Sequence, residues 1–184
     1  WRERHWDHLI ATVLGNRKAE GGTAFQYANV EGLTGNIFGV ASIVGDGAVF
    51  AVETWQDEVG IKDTQAVGRH HGVEVIPAYV PPQKLGANGQ RHRQTGGIAA
   101  VVSSQYAGRV KEVTDLTPEL VVWRREGRYA LFEIFVEHEG GARGNRAHRK
   151  ESVVYAHVMY GDVNEKQKAE RLLADARVMA ATLG

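Results

Sequence analysis

Cysteine is absent from the 184 residues. Disulfides, thiolate nucleophiles and Cys-ligated zinc are therefore excluded together, and any chemistry has to come from His, Asp, Glu and hydroxyl groups. Long hydrophobic runs are missing too: no stretch of about 18 apolar residues occurs, so the sequence encodes no membrane-spanning helix. Nor is there a surplus of either charge, since Lys plus Arg and Asp plus Glu both number 22. With no global field to draw the chain to a polyanion, a surface for nucleic acid or an acidic partner must be a local patch. The first residues, WRERHWDHLI, lack the uninterrupted apolar stretch of a signal peptide, and a leading Trp1 is what trimming or processing leaves. The expectation is a soluble protein, neither secreted nor in a membrane, cytoplasmic or virion-associated.

What is present reads as one α+β domain over residues 1–184, a length that suits a single core. Trp6, Leu9, Ile10, Val13 and Leu14 recur at helical spacing before Gly21 and Gly22, which predicts an N-terminal helix. From residue 163 onward Ala169, Leu172, Leu173, Ala176, Met179, Ala180 and Leu183 form a second stripe, with Asp162 and Glu165 as a capping box. Between them, β-branched and aromatic runs separated by Gly, Pro and Asp predict strands near 24–30, 37–44, 48–55, 73–80, 98–104, 119–123, 129–138 and 152–160. No helix of ten or more residues is evident between these runs, so the sheet should be mainly antiparallel, with the N-terminal and the long C-terminal helix packed on it.

One strand raises a chemical question. Glu133 lies among Leu131, Ile134 and Phe135, and Glu119 follows Pro118 on the run expected to pair with it. A three-residue loop Arg125-Glu126-Gly127 sets Glu119 opposite Glu133, roughly 5 Å apart, where two carboxylates share a proton or hold a divalent cation. A two-residue turn Glu126-Gly127 instead sets Glu119 against Ile134 and Glu133 against Leu120. An acid after Pro on one strand and a second acid on its neighbour resembles the core of PD-(D/E)xK nucleases. The resemblance covers about 20 residues, with Pro118-Glu119 in the place of Pro-Asp and Glu133-Ile134-Phe135 in that of the acid-x-Lys. It implies a metal-dependent phosphodiesterase with Glu119 and Glu133 as ligands of Mg²⁺ or Mn²⁺. Phe135 stands where that family has lysine, and Lys150 is the substitute the chain offers. The stretch AVETWQDE, with Glu53, invites the same comparison, but Trp55 occupies its lysine position. An ordinary polar role for Glu133, paired with an arginine or at an exposed edge, is the competing reading.

Other chemical signatures are sparse. His5 and His8 are one helical turn apart without a third ligand, His70 and His71 are adjacent, and His92, His138, His148 and His157 are single. No G-x-S-x-G elbow, G-x-G-x-x-G turn or P-loop is present, so neither a serine triad nor a cofactor has sequence support. A catalytic site assembled from scattered residues would leave no such mark.

Two connections stand out. Residues 81–97 carry Lys84, Arg91 and Arg93, and residues 139–151 carry Arg143, Arg146, Arg149 and Lys150. Both are long, Gly-rich and basic, in a chain whose remainder is consequently acidic. They suit contact with a phosphate backbone or with a neighbouring protomer, and the absence of interleaved aromatics argues against base stacking. The sequence therefore favours a non-catalytic binding or assembly protein, of the kind that builds a virion or tail, over an enzyme.

Overall fold

A computed structural model describes residues 25–45, 47–81, 96–138, 150–161 and 165–183. The expected N-terminal helix and the capping position Asp162 lie outside them. The elements run β1 (Phe25–Asn29), α1 (Leu33–Val44), β2 (Ala48–Val52), α2 (Gly60–His70), β3 (Val73–Pro77), β4 (Ile98–Ser103), a 3₁₀ turn (Ala107–Arg109), β5 (Val110–Glu112), α3 (Pro118–Arg125), β6 (Tyr129–His138), β7 (Lys150–Met159) and α4 (Lys166–Leu183). This is a mixed α and β fold in which four of the five strand pairings are antiparallel.

The strands form two sheets, ordered β1-β2-β4-β3 and β5-β6-β7. β1 and β2 are parallel, with Phe25 opposite Ala48, and α1 is the crossover that parallel neighbours require. Side-chain alternation shows how the layers stack. Along β2 all five residues are buried: Ala48, Phe50 and Val52 face the second sheet, while Val49 and Ala51 face α1 and α2. β6 repeats the pattern, sending Ala130, Phe132 and Ile134 between the sheets and Tyr129 and Leu131 toward α3 and α4. The result is four layers, helices on both outer sides of two facing sheets. Phe50 and Phe132 meet across the middle with ring centroids 5.5 Å apart, and each such fully buried side chain contributes about 2 kcal/mol.

Two expected strands are helices. Residues 37–44 belong to α1, because Leu33, Ile37, Val40 and Val44 fall on one face and that face covers the first sheet. Residues 119–123 belong to α3: Thr117 caps it by accepting from the Leu120 amide, Pro118 opens the first turn, and Gly127 leaves it at φ +70°. These end signals outweigh the β-propensity of Leu120-Val121-Val122-Trp123. The helix α2 and the short β5 had no counterpart in the sequence reading. In α2, Asp57 Oδ1 accepts from the amides of Val59 and Gly60 at the start, and Ile61, Thr64 and Gly68 are buried. The C-terminal helix is present, with Leu172, Ala176 and Met179 buried.

Candidate functional site

Glu119 and Glu133 are not cross-strand neighbours. Glu119 is exposed in the first turn of α3, where an acid favours the helix dipole. Glu133, half-buried in the middle of β6, has Lys111 of β5 opposite it on one side and Tyr155 of β7 on the other. The Lys111 ammonium lies 5.4 Å from the centroid of the Phe135 ring. An acid in so apolar a strand therefore sits at a position whose cross-strand partner is a cation. Among the described residues no group of three His, Asp or Glu side chains could hold a metal ion. The acid-pair geometry that the nuclease resemblance needs is missing because α3 is a helix.

Lys84, Arg91 and Arg93, and Arg143, Arg146 and Arg149, lie outside the described residues, whereas Lys150 begins β7 opposite His138. The strand ends that carry these connections are described. Residues 82–95 depart from Pro81, beyond β3, and return at Gly96, before β4. Here Thr54 and Trp55 donate their amides to Gly97 O and Gly96 O at 3.3 and 3.0 Å, and Gly97 donates to Gly127 O at 3.1 Å. Only glycine fits this crossing: a Cβ on Gly127 would lie 2.3 Å from the Gly97 nitrogen. Glu53 and Trp55 hold left-handed φ values of 55° and 52°, sparsely populated for such side chains. The Tyr160 hydroxyl, just past β7, donates to the Glu53 carboxylate.

The second connection, residues 139–149, leaves from the other end. Phe50 is three residues back from Glu53 and Phe132 is five residues on from Gly127, and these rings touch. β2 and β6 thus run alongside each other in opposite directions from the Glu53–Gly127 end. β6 and β7 pair over ten residues against five for β2 and β4, and five extra residues extend the hairpin by about 15 Å. The two basic connections are rooted at opposite ends of the sandwich.

Three further features could serve a site. Beneath the Glu53 turn, a polar knot joins Thr34, Gln56 and Thr64: the two hydroxyls are 2.8 Å apart and Gln56 Nε2 donates to Thr64 Oγ1 at 2.5 Å. It fixes the N-terminal ends of α1 and α2 under the strained residues. On the other side, Tyr129 Oη and His157 Nδ1 share a hydrogen bond of 2.9 Å. Burial pushes the His157 imidazole below its ordinary pKa and the Tyr129 phenol above its own. Both groups are enclosed beneath α3 and α4, which suits a structural pair better than a reacting one. Finally, an open groove of about 410 Å³ runs between α3 and α4, lined by Pro118, Glu119, Val122, Trp123, Glu126 and Arg171. Glu53, Trp55, Pro118, Glu119 and His157 were named from sequence and Glu126 and Gly127 only as turn residues, whereas the meeting of Tyr160, Gly97 and Gly127 at this end arises from long-range packing with no local signature. No helix among the described residues is long and apolar enough to cross a membrane. Compared with known proteins, the chain matches no family model, and no curated protein or solved structure matches it.

Proposed function

We propose that the protein is a non-catalytic assembly subunit whose basic connections dock on the acidic flank of a neighbouring copy, as in a virion or tail built from repeated units. The observation that carries this reading is charge segregation. The two connections hold seven Lys and Arg against two Glu, which leaves 15 Lys and Arg against 20 Asp and Glu elsewhere. Such a chain is complementary to itself, whereas its acidic body repels a polyanion that approaches either basic connection. Exposed Glu119 and Glu126, on the rim of the α3–α4 groove beside Trp123, are acids able to receive arginines, Glu126 sharing its carboxylate with Arg128 at 3.7 Å. Connections rooted at opposite ends suit head-to-tail contact, which propagates.

Sedimentation velocity of the full chain at low and high salt tests the reading. The salt-sensitive, higher-order part of any self-association should weaken as salt rises and should be lost in R143E/R146E/R149E. Adding E119K/E126K to that variant should restore it. Salt-sensitive retention of duplex DNA by the wild type, removed by the arginine changes while association stays unaltered, would favour a phosphate backbone as the partner and overturn the proposal.

A further inference from the structure

We propose that the outer face of α1 is a two-fold interface that pairs the protein with a second copy of itself, independently of the basic connections. The buried face of α1 carries Leu33, Ile37, Val40 and Val44. Its opposite face carries Gly35, Phe38, Gly39 and Ser42, with Ile43 alongside, and all five are exposed. At 68% exposure Phe38 is the most exposed large apolar side chain among the described residues, and Ile43 is 45% exposed.

The occupant follows from three properties of that face. First, none of the 12 residues of α1 is charged. A two-fold contact sets one face against its own copy, so a face of one charge sign repels itself and an uncharged one does not. Second, the polar side chains of α1 are already engaged within the chain. Thr34 bonds to Thr64, Asn36 Nδ2 donates to the carbonyls of Val30 and Gly32, and Ser42 Oγ donates to Gly39 O. Dehydrating this surface therefore strands few groups. Third, a projection stands beside a recess. A Cβ placed on Gly35 or Gly39 would meet no atom within 4 Å, so the open space above them adjoins the Phe38 ring. Rotation by two-fold symmetry brings the ring of one copy to the recess of the other, and glycine lets the two helix backbones approach closely. Glycine weakens a helix interior relative to alanine, and nothing among the described residues requires it at either position. A partner of one charge sign finds no complement on this face, whereas a second copy fits it.

The absence of cysteine makes the test clean. In the full chain, S42C should form a disulfide-linked dimer on mild oxidation, faster than V178C, an exposed control on α4 in the opposite helical layer. Adding F38E should suppress that cross-link and weaken self-association on the order of tenfold or more, the effect of removing a central aromatic anchor. The pairing should persist at high salt and in R143E/R146E/R149E, so its failure and the failure of the charge-mediated contact are separable. A second readout guards against misfolding: G39A should raise the melting temperature of dilute protein, while G39L blocks association. The proposal is overturned if the chain is monomeric with S42C and V178C oxidising equally. It is equally overturned if a cysteine at Leu9 captures S42C within one chain, which would make residues 1–24 the cover of α1.

Discussion

Helices α1 and α2 cover one side of the sandwich, α3 and α4 the other, and both pairs bury fully enclosed leucines, Leu33 in the first and Leu120 in the second. Away from the sheets they differ. Around α3 and α4 lie ion pairs and charged hydrogen bonds: Arg124 to Glu112 at 2.5 and 2.9 Å, Arg128 to Glu165 at 2.7 Å, Lys168 to Glu165 at 2.6 Å, and Trp123 Nε1 to Asp175 at 2.9 Å. Around α1 there is no charge on the helix itself, and the Phe38 ring, which meets the His71 ring edge-on at 5.2 Å, is otherwise largely exposed. A layer whose polar groups meet at its surface is finished as a protomer. Among the described residues, the α1 layer has its apolar surplus outside, open to a further contact.

Substitutions can break that contrast, the largest effects first. L33A and L120A should each lower unfolding free energy by about 3 kcal/mol in denaturant titrations, because the inward halves of the two layers are equivalent. A much smaller loss for L33A would mean that α1 is held mainly from outside. R124A should cost about 3 kcal/mol, since it leaves Glu112 largely buried without its partner and removes the guanidinium from Ala78 O and the Tyr79 ring. Equality with wild type would show that the second layer owes nothing to its ion pairs. T117A should lose about 1 kcal/mol with its cap, whereas G39A in dilute protein should gain up to about 1 kcal/mol, so two surface changes of opposite sign distinguish the layers.

A subtler lever is pH. Burial holds His157 below its ordinary value, so the unfolded chain takes up that proton first as pH falls, and protonation favours unfolding. The stability that depends on neutral His157 is complete above about pH 6.5 and is lost as pH falls through the lower folded value. His157→Gln should flatten that part of the stability profile, and an unchanged slope would remove the buried Tyr129–His157 pair from the explanation.

Much of the fold was legible because the relevant signals are local. The strands β1 to β4 and the hairpin β6–β7 follow from β-branched runs and their punctuation, and α4 from its periodicity. Residues 37–44 misled because Ile37, Phe38, Val40, Ile43 and Val44 make an apolar run that fits a buried strand or a helix equally, and no charge marks the outer side. At residues 117–125 the sequence held two competing signals: Thr117-Pro118-Glu119 as a helix start, and Leu120-Val121-Val122-Trp123 as a strand. The helix start wins because Leu120 and Trp123 can then pack together beneath α4. Reading α3 as a strand created the apparent acid pair, so one local error produced the metal-site expectation. The Glu53–Tyr160 contact, 107 residues apart in sequence, was legible from neither partner. The two basic connections were identified from composition alone, but their placement at opposite ends required knowing that β2 and β6 are antiparallel neighbours in different sheets.

The position of β4 also bears on how the chain is made. It lies between β2 and β3, yet it is the last strand of its sheet to be synthesised, with 20 residues separating Pro77 from Ile98. At ~5–20 residues per second, those 20 residues take roughly one to four seconds. Throughout that interval the nascent chain presents the open side of β2 with nothing to close it, the kind of edge on which polypeptides stick together.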